Sequence, residues 1–197
     1  MPFSRFVFAF VGVILASGCA PLITQSPGAG LSPVNAVSVD SDKHLMLFGH
    51  DVVSYFSEGT HKPGKTEIKS VYKDVTFRFS KAEHKAMFDR EPEKYIPQYG
   101  GYCANGIVYS IPWGGDADTW RIIDGKLYIF GGKGSRDAFM LDVPGNLKLA
   151  DKYWKEEVSG SNAFWHRTKR TTLFKVAHYK TGAQLAEEVA KAGGASK

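Results

Sequence analysis

The first nineteen residues decide how much of this chain is available to fold. Met1 to Arg5 carry one positive charge, Phe6 to Ala16 form an almost purely apolar run, and Ser17-Gly18-Cys19 close it with small residues. A basic end, an apolar core and small residues before a cut are the order of a secretory signal. The apolar run is shorter than the roughly 20 residues that a membrane-spanning helix needs. From Pro21 to about Val39 the chain is rich in Pro, Gly, Ser, Thr and small apolar residues and carries no charge. Such a composition cannot build a core and predicts a flexible tether. The expected organisation is a signal peptide over 1–18, a tether over 19–39, a folded domain over 40–158 and a C-terminal extension over 159–197.

The hydrophobic fraction of 43% and the aromatic fraction of 13% allow that domain a real core. The net charge of +5 is mild and its signs are interspersed, which argues against a nucleic-acid binder. The densest basic stretch, His166-Arg167-Thr168-Lys169-Arg170, reads as a solvated basic turn.

Within the domain, Asp51 is placed to cap a short helix over Val52 to Phe56. Val71, Val75, Phe77 and Phe79 alternate across a turn at Lys73-Asp74, predicting a hairpin over 68–79. Ser80 and Glu83 have the spacing of a capping box, followed by a helix whose apolar face holds Ala82, Ala86, Met87 and Phe88. His84 is expected on that helix's exposed side. Gln98-Tyr99-Gly100-Gly101 predicts a tight turn, and Tyr102 to Ser110 a buried segment. Asp124-Gly125 between two apolar runs is the strongest hairpin signal in the chain. Helices are expected from Ser135, over Asn146 to Trp154, and over Ala183 to Ala192, the last built on Leu185 and Val189. The predicted fold class is α+β: a small antiparallel sheet of hairpins with short helices packed on it, plus a C-terminal amphipathic helix.

Two resemblances add to this reading. Leu15-Ala16-Ser17-Gly18-Cys19 resembles a lipobox, which implies cleavage before Cys19, acyl chains on that residue and attachment to a lipid membrane. Ala20 rather than aspartate after the cysteine implies, by the enteric sorting pattern, the outer membrane facing the periplasm. Gly49-His50-Asp51-Val52-Val53-Ser54-Tyr55-Phe56, Phe77-Arg78-Phe79-Ser80, Pro92-Glu93-Lys94-Tyr95, Pro97 to Ala104 and Asp124 to Tyr128 together resemble the longer bacterial YHS-domain proteins. The resemblance covers roughly Leu47 to Trp154. Short YHS modules accompany metal-transport ATPases and some oxygenases, and their metal readings rest on cysteines at the strand-to-helix junction. Here that junction, Phe79 to His84, has none.

Cys103 is the side chain with the most chemistry. With Cys19 acylated it has no intramolecular disulfide partner, and a lone thiol outside the cytoplasm is either sheltered or used. A thiolate suits a transition metal such as copper or zinc, and His50 and Asp51 are its candidate co-ligands if the two motifs meet. The alternative is a buried cysteine acting as a small hydrophobe. Tyr102, Trp113 and Trp120 are candidates to line an aromatic pocket, with Trp120 also suited to the core. His61, His166 and His178 show no metal-site spacing, and Asp116 and Asp118 lack an EF-hand interval. Gly131-Gly132-Lys133-Gly134-Ser135 lacks the spacing of a phosphate loop.

Three functions follow. The leading expectation is a membrane-anchored binding protein for a metal ion, a small ligand or an envelope protein partner. A structural envelope protein with an inert Cys103 is the second. A Cys103-dependent enzyme with His50 as base is the third.

Overall fold

Two apolar layers flank one short hairpin, and the period-two geometry of a strand explains how five residues serve both. The computed structural model describes residues 31–193. The expected signal peptide, the lipidation site Cys19 and most of the expected tether lie outside the described residues. In chain order the strands are β1 (Ala36–Val39), β2 (Asp42–Met46), β3 (Lys65–Tyr72), β4 (Val75–Phe79), β5 (Asp116–Ile123) and β6 (Lys126–Phe130). The helices are α1 (Ser54–Ser57), α2 (Ala82–Arg90), α3 (Pro92–Tyr95), α4 (Ala104–Ile107), α5 (Lys133–Met140), α6 (Val143–Tyr153), α7 (Ala163–Thr172) and α8 (Gly182–Lys191). The fold is α+β.

Successive side chains of a strand point to opposite faces. On β6, Leu127 and Ile129 join a core made by the first sheet with α2 and α3, whereas Tyr128 and Phe130 join a second core under α4 to α7. Asp124 and Gly125 turn the hairpin with φ of 49° and 72°, the left-handed pair that a two-residue turn requires. Lys73 and Asp74 repeat that geometry between β3 and β4.

The first sheet has the order β1-β2-β4-β3. It is mixed rather than purely antiparallel, because β2 meets β4 in parallel through Leu45 and Thr76. Hairpins build each half, and the short helix α1 and the β3 strand must be traversed before β4 returns beside β2.

The tether ends earlier than composition suggests. Residues 33–36 are buried, and Ala36 already opens β1. The Asn35 backbone N–H donates to the Gly100 carbonyl at 2.8 Å, and its side-chain amide donates to the Gly101 and Gly115 carbonyls at 3.1 Å each. The Tyr102 hydroxyl donates to the Val34 carbonyl at 2.9 Å. The segment is a strap laid across the Gly100-Gly101 turn. A Cβ on Gly100 would stand 2.4 Å from the Pro33 carbonyl oxygen, so Gly100 admits backbone, and one on Gly101 would meet the Leu47 and Met46 side chains at 3.2 Å.

Two further expectations are corrected. The basic stretch at 166–170 is the interior of α7, not a solvated turn: Arg167 is buried and donates to the Pro112 carbonyl, and Arg170 pairs with Glu157. Ser80 is not a helix cap either; the N-cap of α2 is Lys81, without a side-chain cap. The capping box lies instead at Thr181 and Gln184, at the start of α8.

Buried Asp42 accepts from Lys69 and from Arg78, and Glu58 from Lys62 and Lys81. The Lys69 hydrogen bond, with Arg78 and against burial, holds the Asp42 carboxyl below its usual range. Lys62 and then Lys81 hold Glu58 at about 2. Both groups release protons more readily in the folded chain, so their contribution is complete above the unfolded carboxylate range of about pH 4 and is lost as pH falls through the folded values. The urea midpoint is therefore expected to fall between about pH 4 and pH 2, and less so in Asp42→Asn.

Candidate functional site

Cys103 stands at the junction between the Gly100-Gly101 turn and α4. Its backbone N–H donates to the Trp113 carbonyl at 2.9 Å, and it bridges to Ile129 of β6. These bonds seat it among buried residues, with only 3% of its surface exposed. The thiol is nonetheless not sealed in apolar packing. Its Sγ lies 3.0 Å from the Ser135 hydroxyl, and it forms part of the wall of a cavity of about 530 Å³.

Three elements converge on that cavity. The first turn of α5 supplies Lys133, Gly134 and Ser135, preceded by Gly131 and Gly132. The first N–H groups of a helix have no acceptor inside it, so this wall offers donors to a polar group. The α4 segment adds Asn105, Gly106 and Tyr109, and Trp113 follows from the next loop. The last wall is α8, which turns Leu185, Ala186 and Val189 toward the opening. Its residues at i, i+3 and i+4 share a face, which is why the amphipathic tail closes the site.

The Cys103 thiol and the Ser135 hydroxyl, 3.0 Å apart, form the polar end of a lining that otherwise includes Asn105 and aromatic and aliphatic carbon. Burial, and after it the Glu188 carboxylate, pushes the Tyr109 phenol up to about 12. Tyr109 therefore faces the cavity as a neutral hydroxyl. Lys180 at the rim is held by Glu188 at 2.7 Å, and Lys133 pairs with Asp137, so little cationic charge is left uncompensated at the polar end.

The sequence-predicted ligands are not brought together. Asp51 is fully buried: its Oδ1 accepts from the Val53 N–H at 3.0 Å, and its Oδ2 accepts from the Ser80 N–H at 2.8 Å and the Ser80 hydroxyl at 2.6 Å. His84 Nδ1 also lies 2.6 Å from that oxygen. All of this carboxylate's capacity is spent joining α1 to α2. His84 is thus buried rather than exposed; it sits four residues before Phe88, on the face that packs. His50 bonds the Leu47 carbonyl through Nδ1 at 2.9 Å and lines a separate groove with Phe48, His61, Asp116 and Asp118. Among the described residues, no group of three or more His, Cys, Asp or Glu side chains could hold a metal ion. The neighbours of Cys103 do not fit a copper or zinc centre, and its hydrogen-bond partner is a hydroxyl rather than the imidazole that a Cys–His pair would need.

Of the expected aromatic pocket, Trp113 alone lines the cavity. Tyr102 is fully buried beneath the strap, and Trp120 packs edge-on against Tyr55 with ring centroids 5.2 Å apart. Sequence reasoning missed Ser135, Asn105 and Tyr109. The signal available for Ser135 was the glycine-rich approach to α5, which fails as a phosphate loop but still aims a helix start at an opening.

Comparison of the chain with protein-family models, with curated proteins and with solved structures finds no match for it.

Proposed function

We propose that this chain is a lipoprotein of the bacterial envelope, tethered through acylated Cys19 and facing the periplasm, whose YHS-like domain binds a small amphiphilic molecule in the Cys103 cavity. The observation that carries the reading is the cavity itself: a thiol and a serine hydroxyl 3.0 Å apart at the polar end, walled by a helix start and closed by the apolar face of α8. Binding sites for small molecules are concave, mostly apolar and furnished with a few convergent polar groups. The ligand class that fits is a molecule with one hydrogen-bonding head, received by Ser135 and Asn105, and an apolar body against Tyr109, Trp113 and Leu185. The lipobox resemblance supports the location, and the ordered YHS-like motifs support the domain.

The test reads the thiol. Once Cys19 is acylated, Cys103 is the remaining cysteine, and α8 has no buried residue of its own, so its opening is expected to limit labelling. Leu185→Asp, which removes roughly 1 kcal/mol of apolar contact from a half-buried side chain, is expected to speed maleimide modification about fivefold. Small molecules extracted from the envelope are expected to slow it in the wild type. Labelling that ignores both the substitution and the extract would contradict a ligand cavity closed by α8.

A further inference from the structure

The outer face of α7 and the turn after it have no role in either core, yet they present the most apolar exposed surface of the described residues. Phe164 is 49% exposed, Trp165 67%, Leu173 76% and Phe174 57%. Large aromatic side chains are rarely left in water in such a group unless something covers them. What could cover them is constrained by charge. From Ser159 to Ala186 the chain contains no aspartate or glutamate, while it contains Arg167, Lys169, Arg170, Lys175 and Lys180. Arg167 and Arg170 are spent inward, on the Pro112 carbonyl and on Glu157. Lys169 and Lys175 are exposed, Lys169 lying 5.5 Å from the Phe174 ring centre and Lys175, next to Phe174 in the chain, 4.8 Å from that of Tyr179. Trp165, Lys169 and Leu173 recur every four residues and so share a face; Phe164 packs on Trp165 with ring centroids 5.0 Å apart and Phe174 lies under Lys169, and exposed aromatics flanked by lysines have the composition of an interfacial segment on an anionic bilayer.

With Cys19 acylated, the path of the chain keeps that face within reach of a membrane. The Ser32 carbonyl accepts from the Gly160 N–H at 3.0 Å, so the N-terminal strap enters the domain three residues before α7 begins. Fully extended, the twelve residue steps from Cys19 to Leu31 span at most about 40 Å. We infer that the face formed by Phe164, Trp165, Leu173 and Phe174, with Lys169 and Lys175, docks on an anionic lipid surface and holds the domain down against the bilayer. The placement rests on the acylated Cys19 of the preceding section; the chemistry of the face does not.

The experiment uses the full chain as matured in an expressing bacterium, isolated from its envelope and reconstituted into vesicles. One set contains about a third phosphatidylglycerol, a usual choice where basic residues are to meet anionic lipid; the other is phosphatidylcholine alone. Tryptophan fluorescence is quenched by brominated acyl chains or by aqueous acrylamide, and Trp165→Phe isolates the contribution of Trp165. Because Trp165 is exposed, that substitution leaves the core intact. On anionic vesicles the Trp165 signal is expected to be quenched from the lipid side and shielded from acrylamide. On neutral vesicles, or in Lys169→Glu/Lys175→Glu, the protection is expected to fall by about fivefold per lysine, with the protein still vesicle-bound through its anchor. Trp165 open to acrylamide on anionic vesicles would overturn the proposal, as would shielding from both quenchers, which means a protein partner or a second copy covers the face. Mass spectrometry of the same preparation separates the two claims. An unmodified Cys19 with lipid-quenched Trp165 sinks the anchor and upholds the face, and an acylated Cys19 with water-exposed Trp165 does the reverse.

Discussion

Replacing Asp51 with alanine is expected to destabilise the domain by about 3–5 kcal/mol, the cost of removing one side of a buried charged network. Four donors meet this carboxylate, two from the backbone and two from side chains, and none of its surface reaches water. Alanine leaves the Val53 and Ser80 N–H groups without their acceptor in a dry site and takes from His84 Nδ1 its closest partner, leaving the ring the Ser57 and Ser80 hydroxyls, and each orphaned group carries its own desolvation cost. Typical domains are stable by about 5–15 kcal/mol, so this one substitution removes a large share of the total. Urea unfolding of the wild type, Asp51→Ala, His84→Ala and the double variant measures it. A coupling of about 1.5–3 kcal/mol between the two positions is expected from residues sharing one network. Simple additivity, or a loss under about 1 kcal/mol for Asp51→Ala, would show that the carboxylate does not join α1 to α2 as described.

The second large effect lies at the strap. Gly100 has φ of 60°, and a Cβ there would meet the Pro33 carbonyl oxygen at 2.4 Å, a backbone atom that cannot rotate aside. Gly100→Val combines the left-handed penalty of about 1–2 kcal/mol with overpacking of about 1–3 kcal/mol. The strap is expected to lift rather than the turn to reshape, because the turn runs directly into Tyr102 and Cys103, and Cys103 is fixed by the Trp113 carbonyl and by its bridge to Ile129. Amide exchange at Asn35 should accelerate, the Tyr102 hydroxyl should lose its partner, and the urea midpoint should drop. Unchanged exchange at Asn35 in the folded variant would mean that the strap does not cross at Gly100. The same result would restore the reading of residues 31–39 as part of a tether.

How much of this was legible in the sequence depended on the range of the contact involved. The Asp124-Gly125 hairpin and the α8 amphipathic pattern were readable because local turn chemistry and side-chain periodicity determine them. Residues 33–36 were not readable as structure, since their burial comes from partners 66 and 80 residues away. His84 looked solvent-facing because a histidine on a charged helix usually is; its carboxylate partner sits 33 residues back. The basic run of α7 misled for a related reason: Arg167 hides its guanidinium against Pro112 and Trp113 while the apolar side chains face out. At the site, Cys103, read from the sequence as a candidate ligand, and Trp113, read as a candidate pocket residue, both line the cavity. The His50 and Asp51 constellation failed because adjacency in a motif sends consecutive side chains in different directions, one into a groove and one into the core.

The most direct test of the central claim is native mass spectrometry of the full chain released gently from the envelope. The cavity at Cys103 predicts one small molecule retained per chain in the wild type and lost in Ser135→Trp, whose indole would occupy the polar end. A bare protein mass in both, from preparations in which Cys103 stays slow to label, would contradict it.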